Sequence, residues 1–198
     1  MPAEYALLGL LQRRPMHGYQ LAQQFAADSP LGRIVRLERS LLYALLKKLE
    51  AQGQIRGMLQ TAGLHPPRRV FSLTPAGRQA LERWAEAPVE HPREIRLEFL
   101  LKLYFAQELG PATVLRLIEG QIVRTRAYLQ RLRREDRETR ATTAAARFDH
   151  IVWQVRIRQI QSIIEWLDWC RQAAGRRPER LASQSSRRPA RAATAGRA

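Results

Sequence analysis

Three side chains that can donate hydrogen bonds are spaced three or four residues apart in one stretch of the sequence. Ser40, Tyr43 and Lys47 carry a hydroxyl, a phenol and an ammonium group, and they share a face with Glu50 if residues 40–53 are helical. The other face is apolar and contains Leu41, Leu42, Leu45, Leu46 and Leu49. With no acid before Glu50, such a polar face can donate to phosphates and reach base edges in a DNA major groove. An ordinary amphipathic helix with a solvated face fits the same pattern, so the neighbouring segments decide between the two.

Two short helices are predicted on the N-terminal side of this stretch. The first covers residues 5–11, and the second covers residues 16–25 with a tight turn expected at Gly18. Three short helices joined by tight connections are the layout of a helix-turn-helix. The residues of the second helix that we expect to support contacts with a nucleic-acid backbone are His17, Tyr19 and Gln20.

The sequence after the third helix changes from a helical period to an alternating one. Residues 55–60 and 69–73 each alternate, and the loop between them contains Gly63 and Pro66-Pro67, which predicts a β-hairpin. A new helix is then predicted, because Thr74 is a natural N-cap and the proline that follows suits the first helical position. A hairpin placed directly after a recognition-type helix is a wing, and its basic residues are His65, Arg68 and Arg69.

Four motifs in this order resemble the PadR-type family of winged-helix transcriptional regulators. They are Ala6-Leu-Leu-Gly-Leu-Leu, Met16-His-Gly-Tyr-Gln-Leu, Leu42-Tyr43-x-x-Leu46-x-x-Leu49-x-x-x-Gly53 and Arg69-Val-Phe-Ser-Leu-Thr-Pro-Ala-Gly77. The resemblance covers nearly all of residues 3–85. It departs from the family where Arg39-Ser40 replaces the small pair that many relatives carry, and where two prolines replace a usually more flexible wing tip.

The resemblance implies a mainly α fold with a small β-hairpin wing, in which an N-terminal winged helix-turn-helix precedes a C-terminal helical dimerisation region. It implies a sequence-specific DNA-binding regulator, expected to be a ligand-responsive repressor that acts as a homodimer on double-stranded DNA. A non-specific architectural nucleic-acid-binding protein is the alternative. The expected DNA-binding residues are His17, Tyr19, Gln20, Arg39, Ser40, Tyr43, Lys47, Arg68 and Arg69.

Residues 88–173 are predicted to form helices that require a partner. A helix is expected over residues 93–109, and a longer one follows Gly110-Pro111 with an a/d seam. The seam consists of Leu115, Ile118, Ile122, Thr125, Leu129 and Leu132. A turn within residues 133–146 leads to a last helix, whose apolar set is Phe148, Ile151, Val152, Val155, Ile160, Ile163, Ile164 and Leu167. Two helices with narrow seams bury little against each other, so a second copy is expected to complete a bundle.

The tryptophans of this region are first interpreted as core or interface anchors. Some relatives in the family that the motifs resemble bind flat aromatic or drug-like molecules near the dimer interface. By that resemblance, Trp153 and Trp166 are the residues expected to meet a small aromatic effector. Cys170, the one cysteine, is interpreted as a packed thiol rather than a redox sensor.

The composition limits the classes of protein function that fit the chain. The formal net charge of +16 over 198 residues favours a polyanionic partner, although only three of the basic residues are lysines, so coding composition contributes to this bias. Residues 174–198 are rich in arginine and are expected to be a disordered tail that adds sequence-independent attraction to phosphates. We recognise no secretory signal and no membrane span in the sequence, so a cytoplasmic protein is expected. We also recognise no metal-ligand spacing, cofactor motif or nucleophile-base set, so a non-enzyme is expected and an enzyme or sequestering protein on a helical scaffold is disfavoured.

Overall fold

The computed structural model describes residues 2–60, 67–138 and 144–175. It is mainly helical with one small sheet, which confirms the predicted fold class. The N-terminal elements are α1 (Pro2–Arg13), β1 (Met16–His17), α2 (Gly18–Gln23), α3 (Arg39–Ala51), β2 (Ile55–Gln60), β3 (Arg68–Leu73) and α4 (Pro75–Glu86). After a 3-10 turn (Pro92–Glu94) and a π-helical turn (Ile95–Phe99) follow α5 (Leu100–Leu109), α6 (Pro111–Glu138) and α7 (Ala144–Gly175). The predicted tail begins two residues too early, because Ala174 and Gly175 are the last residues of α7 and Ala174 packs against the core of the helices. Residues 176–198 of that tail and the wing-tip residues 61–66 lie outside the described residues.

The N-terminal half, from α1 to α4, packs α1, α3 and α4 around one hydrophobic core. Four of the five leucines predicted to lie on the apolar face of α3 are buried, namely Leu42, Leu45, Leu46 and Leu49. The prediction was wrong for Leu41, which is 40% exposed because it lies about 90° around the helix from the centre of that face. Each fully buried leucine contributes about 1.5–3 kcal/mol, so this face fixes how α3 is turned relative to the core.

The sheet has the strand order β1-β3-β2, and both pairs are antiparallel. The β2–β3 hairpin was predicted, and its register pairs Gly57 with Phe71 and Leu59 with Arg69. Strand β1 was not predicted, because two residues are too few to show an alternating pattern. It pairs Met16 with Phe71, so the wing is joined to the chain just before α2 as well as to α3.

The predicted second and fourth helices differ in how well the sequence located them. Helix α2 ends at Gln23, two residues before the expected end, and the chain then turns through residues 24–38 to reach α3. Helix α4 begins where predicted, because the Thr74 hydroxyl accepts the backbone N–H of Gly77 at 3.1 Å and Pro75 takes the first helical position.

The C-terminal half is an α6–α7 hairpin with α5 packed against it. The predicted seam of α6 is buried from Ile118 to Leu132, whereas Leu115 is only half-buried. On α7 the buried residues include Ile157, which the predicted apolar set does not contain. The helix predicted over residues 93–109 begins instead as the 3-10 and π-helical turns.

Polar contacts join the two halves. Arg13 at the end of α1 pairs with Glu108 of α5, whereas the stacking of Tyr5 of α1 on Trp84 of α4, with ring centroids 4.7 Å apart, lies within the N-terminal half. The buried ammonium of Lys102 donates to the carbonyl oxygens of Trp84 at 2.7 Å and Ala87 at 2.8 Å, where α4 ends. Burial lowers the pKa of this ammonium, against the opposing effect of the nearby Glu98 carboxylate. The carbonyl groups at the end of α4 are therefore satisfied by a side chain of α5.

Candidate nucleic-acid interface

Helix α3 presents its predicted polar face to solvent. Ser40 and Lys47 are exposed, and Tyr43 is 52% exposed although it is one of the larger side chains of the helix. The neighbouring Lys48 is used differently, because its ammonium donates to the Glu4 carboxylate of α1 at 2.9 Å. Burial acts to raise the pKa of Glu4, but the hydrogen bond from Lys48 and the positive charges around the carboxylate together outweigh burial and lower it. Of the two adjacent lysines, Lys47 is thus the one available to a ligand.

The ring of Tyr43 rests on the backbone at the start of α2. A Cβ atom at Gly18 would lie 2.6 Å from Cε1 and 2.7 Å from the phenol oxygen of Tyr43, so only glycine allows the ring this close. The sequence predicts a tight turn at Gly18 but does not indicate this contact. The first turn of α2 therefore forms the seat that holds the Tyr43 ring.

The side chains of His17 and Gln20 hold the first turn of α2 in a capping box. The Nδ1 atom of His17 accepts the backbone N–H of Gln20 at 3.3 Å, and the Oε1 atom of Gln20 accepts the backbone N–H of His17 at 3.2 Å. Tyr19 is exposed, and the guanidinium of Arg39 lies 5.8 Å from its ring centroid. These contacts fix the backbone of the α2 start, and they leave Tyr19 and Arg39 at the surface.

The two wing arginines have different surroundings. Arg68 is exposed, and no acidic side chain is within ion-pair distance of it among the described residues. Arg69 is bound by Glu50 of α3, with an Nη2 to Oε2 distance of 2.7 Å. The sequence alone groups the two arginines together as wing anchors. His65, the third basic residue of the wing, lies outside the described residues.

A groove of about 770 Å³ lies between α3, the start of α2 and the wing. It collects six of the nine residues that the sequence proposed for DNA contact, whereas Gln20, Arg39 and Ser40 lie outside its lining. The six are His17, Tyr19, Tyr43, Lys47, Arg68 and Arg69. The remaining polar residue of the lining is Glu50, which the sequence placed on the same face of α3 as Lys47 but did not propose as a functional residue.

The two tryptophans proposed for an effector lie in different environments. Trp166 is half-buried and meets Phe99 edge-on at 5.9 Å, whereas Trp153 lies beneath the Arg156 guanidinium at 5.0 Å. Thirteen residues apart on α7, they are separated by about 20 Å along the helix.

A separate apolar cavity of about 340 Å³ lies between α5, α6 and α7, and it is lined by Leu103, Val114, Ile118, Trp169 and Cys170 among others. Burial raises the pKa of the Cys170 thiol.

Two family models match the chain along most of its length. Residues 7–83 match the transcriptional regulator PadR-like family, and residues 95–174 match the model described as virulence activator alpha C-term. The winged-helix segment, residues 7–83, is of the PadR-like family of transcriptional regulators. The first model contains the whole groove, and the second covers α5, most of α7 and the complete α6.

One curated relative is similar over most of its length. It is the negative transcriptional regulator PadR of Bacillus subtilis (strain 168), which is 26% identical over 171 residues, or 83% of this chain and 93% of that protein. Bacillus subtilis PadR solved in complex with operator DNA is 24% identical with a TM-score of 0.43, covering 87% of this chain and 98% of that one. The same protein in complex with p-coumaric acid is 22% identical with a TM-score of 0.38, covering 89% and 97%.

No described helix is both long enough and apolar enough to cross a lipid bilayer.

Proposed function

We propose that this chain is a sequence-specific DNA-binding regulator that represses transcription as a homodimer and responds to a small ligand. The observation that carries the proposal is the groove, in which exposed Tyr43 and Lys47 of α3 face the same space as Arg68 of the wing. In the proposed complex α3 lies in the major groove, where Tyr43 and Lys47 reach base edges and Ser40 donates near the helix start.

The other candidate residues have supporting roles in the proposal. Arg68 follows the phosphate backbone from the wing, while Arg39 and Tyr19 contact phosphates beside the start of α3. His17 and Gln20 act mainly through the capping box, which fixes the backbone of α2 against the duplex. Phosphate contacts of this kind orient the protein, and base contacts from α3 supply the sequence preference.

An exposed apolar stripe on α7 supports the proposed homodimer. Phe148, Ile151 and Val155 are spaced three and four residues apart, and their side chains are 66%, 60% and 51% exposed. Exposed apolar residues in such a continuous row mark an interaction surface. A second copy would cover the stripe and place two α3 helices on one side of the pair, where recognition helices about 34 Å apart fit successive turns of DNA.

Ligand response and negative regulation are extended to this chain from its relatives. The curated relative is named a negative regulator, and a structure of Bacillus subtilis PadR contains p-coumaric acid. We propose a flat aromatic effector that meets Trp153 or Trp166, which are too far apart along α7 to enclose one molecule within a single subunit. Titrating aromatic acids while following tryptophan fluorescence of Trp153→Phe, Trp166→Phe and Trp169→Phe variants would locate the ligand. A response in none of them would remove the effector from the proposal.

Selection of bound DNA from a random-sequence library tests the main proposal. We expect a palindrome with half-sites about one helical turn apart. Arg68→Ala should reduce the slope of log affinity against log salt by about one for each phosphate that the arginine neutralises. Selection without enrichment of any sequence, combined with loss of binding on removal of residues 174–198, would instead support a non-specific architectural protein.

A further inference from the structure

The carboxylate of Glu50 connects the end of α3 to both strands of the wing. Its Oε1 atom accepts the backbone N–H of Gly57 in β2 at 2.9 Å. The guanidinium of Arg69 in β3 donates from Nη2 to Oε1 at 2.8 Å and to Oε2 at 2.7 Å. One acidic side chain therefore holds the backbone of one strand and the side chain of the other. Charged hydrogen bonds of this kind are stronger than neutral ones.

The missing side chain of Gly57 makes room for this arrangement. A Cβ atom at that position would lie 2.5 Å from Nε of Arg69 and 2.8 Å from Oε1 of Glu50. Glycine inside a strand weakens it, and it often marks a place where another group approaches the backbone closely. The Arg69 guanidinium also lies 5.6 Å from the ring centroid of Phe71, which is buried in the core. Residues from α3, β2 and β3 thus fit together around a single ion pair.

This ion pair changes the charge that the groove offers to DNA. Glu50 is the acidic residue of the groove lining, which also contains Lys47, Arg68 and Arg69. Without a partner, the carboxylate would repel phosphates. Paired as it is, it neutralises Arg69, so that Lys47 and Arg68 carry the positive charge of the groove.

We propose that Glu50 is a positioning residue that sets the wing against α3 and keeps Arg69 away from the DNA phosphates. The inference rests on the proposed function, and it assigns Arg69 to an internal contact in place of the phosphate anchor that the sequence suggested. The angle between the wing and α3 determines whether Arg68 reaches the DNA phosphate backbone while Tyr43 and Lys47 are in the major groove. A fixed angle therefore favours the matching sequence over other DNA.

The test compares Glu50→Gln with the wild-type protein on a selected DNA site and on a scrambled duplex of the same length. Glutamine keeps the shape and can still accept the Gly57 N–H, but it releases Arg69. The ratio of specific to non-specific affinity should fall about two- to fivefold, the range that an exposed ion pair supports. The slope of log affinity against log salt should steepen by about 0.9 for each subunit whose Arg69 reaches a phosphate.

Glu82→Gln is the matched control, because it removes the same charge from an exposed position on α4 outside the groove. In the double variant Glu50→Gln, Arg69→Gln, the additional slope should disappear because the released guanidinium is gone. A Glu50→Gln protein that matches Glu82→Gln in slope, or one with an unchanged specificity ratio, overturns the proposal. A wild-type protein with no sequence preference refutes the proposed function itself, before any variant is compared.

Discussion

The two halves of the molecule expose different kinds of side chains. The N-terminal half buries most of its leucines within one chain and presents Tyr43, Lys47 and Arg68 at its surface. The C-terminal half buries only one side of α7 and leaves Phe148 and Ile151 in contact with water. The first half thus has a complete core and a surface suited to a polyanion. The second has an incomplete core, and its exposed surface is suited to another protein surface of the same kind.

The largest expected effect comes from a charge in the apolar stripe of α7. Ile151→Glu should place two carboxylates in the proposed subunit interface and weaken dimerisation about 100-fold or more, because apolar residues at interface centres dominate affinity. Analytical ultracentrifugation would measure the dimer dissociation constant, and operator binding should fall with it. Gln172→Glu is the control, since it introduces the same charge on an exposed part of α7 outside the stripe. A variant that remains as dimeric as the control would contradict the proposed interface.

Tyr43→Ala and Lys47→Ala should each weaken operator binding about tenfold or more, within the range expected when one base interaction is removed. Thermal unfolding should be nearly unchanged, because both side chains are at the surface. Electrophoretic mobility shift at matched salt would measure the weakening, with Gln52→Ala as an exposed control outside the groove lining. Wild-type affinity in both variants would show that the polar face of α3 is only a solvated surface.

Gly18→Ala separates binding from stability in the N-terminal half. The added Cβ must displace the Tyr43 ring, so operator affinity should fall about fivefold, a part of the effect expected for a base interaction. Alanine at a helical position stabilises the fold by about 0.5–1 kcal/mol relative to glycine, so thermal stability should not fall much. The control is Gly120→Ala, because the nearest atom to a Cβ there is 3.9 Å away. Equal affinities for the two alanine variants would mean that the Gly18 contact has no part in DNA binding.

The smallest effect is expected inside the N-terminal core. Lys48→Met should lower the free energy of unfolding by about 1 kcal/mol near neutral pH, because the buried Glu4 carboxylate loses a charged hydrogen bond. Since the pKa of Glu4 is lowered in the folded protein, its contribution is present above the unfolded pKa and is lost as the pH falls through the folded value. Denaturant unfolding should therefore show a difference from the wild type at pH 7 that shrinks in acid. A difference independent of pH would exclude the ion pair as its cause.

The same contrast between the halves explains what the sequence could predict. Helix α3 was predicted because its buried face packs against α1 and α2 of the same chain, so the leucine spacing corresponds closely to burial. On α7 the spacing of apolar residues predicted a helix but not which of them are buried. Phe148, Ile151 and Val155 are exposed in the single chain, whereas Ile157 is buried. Periodicity alone does not distinguish a core face from an interface face.

Contacts between distant positions were beyond the reach of sequence patterns. The pairing of Glu50 with Arg69 depends on the hairpin register and on the space left by Gly57. Burial of Lys102 depends on where the π-helical turn and the end of α4 meet, which no local spacing encodes. Most of the polar residues that line the groove were predicted. The sequence could not show that Arg69 is paired with Glu50 while Arg68 is exposed.

The contacts of Lys102 with the end of α4 would affect how a dimer spans two half-sites on DNA. The Lys102 ammonium bonded to the end of α4, together with the Arg13–Glu108 ion pair, holds the N-terminal half, and with it α3, against the helices that are proposed to pair. In the proposed dimer, the gap between half-sites is then a fixed length. Inserting a few base pairs at the centre of the palindrome would abolish simultaneous engagement of both halves, and any ligand that tilts α5 would have the same effect without touching the DNA-binding surface.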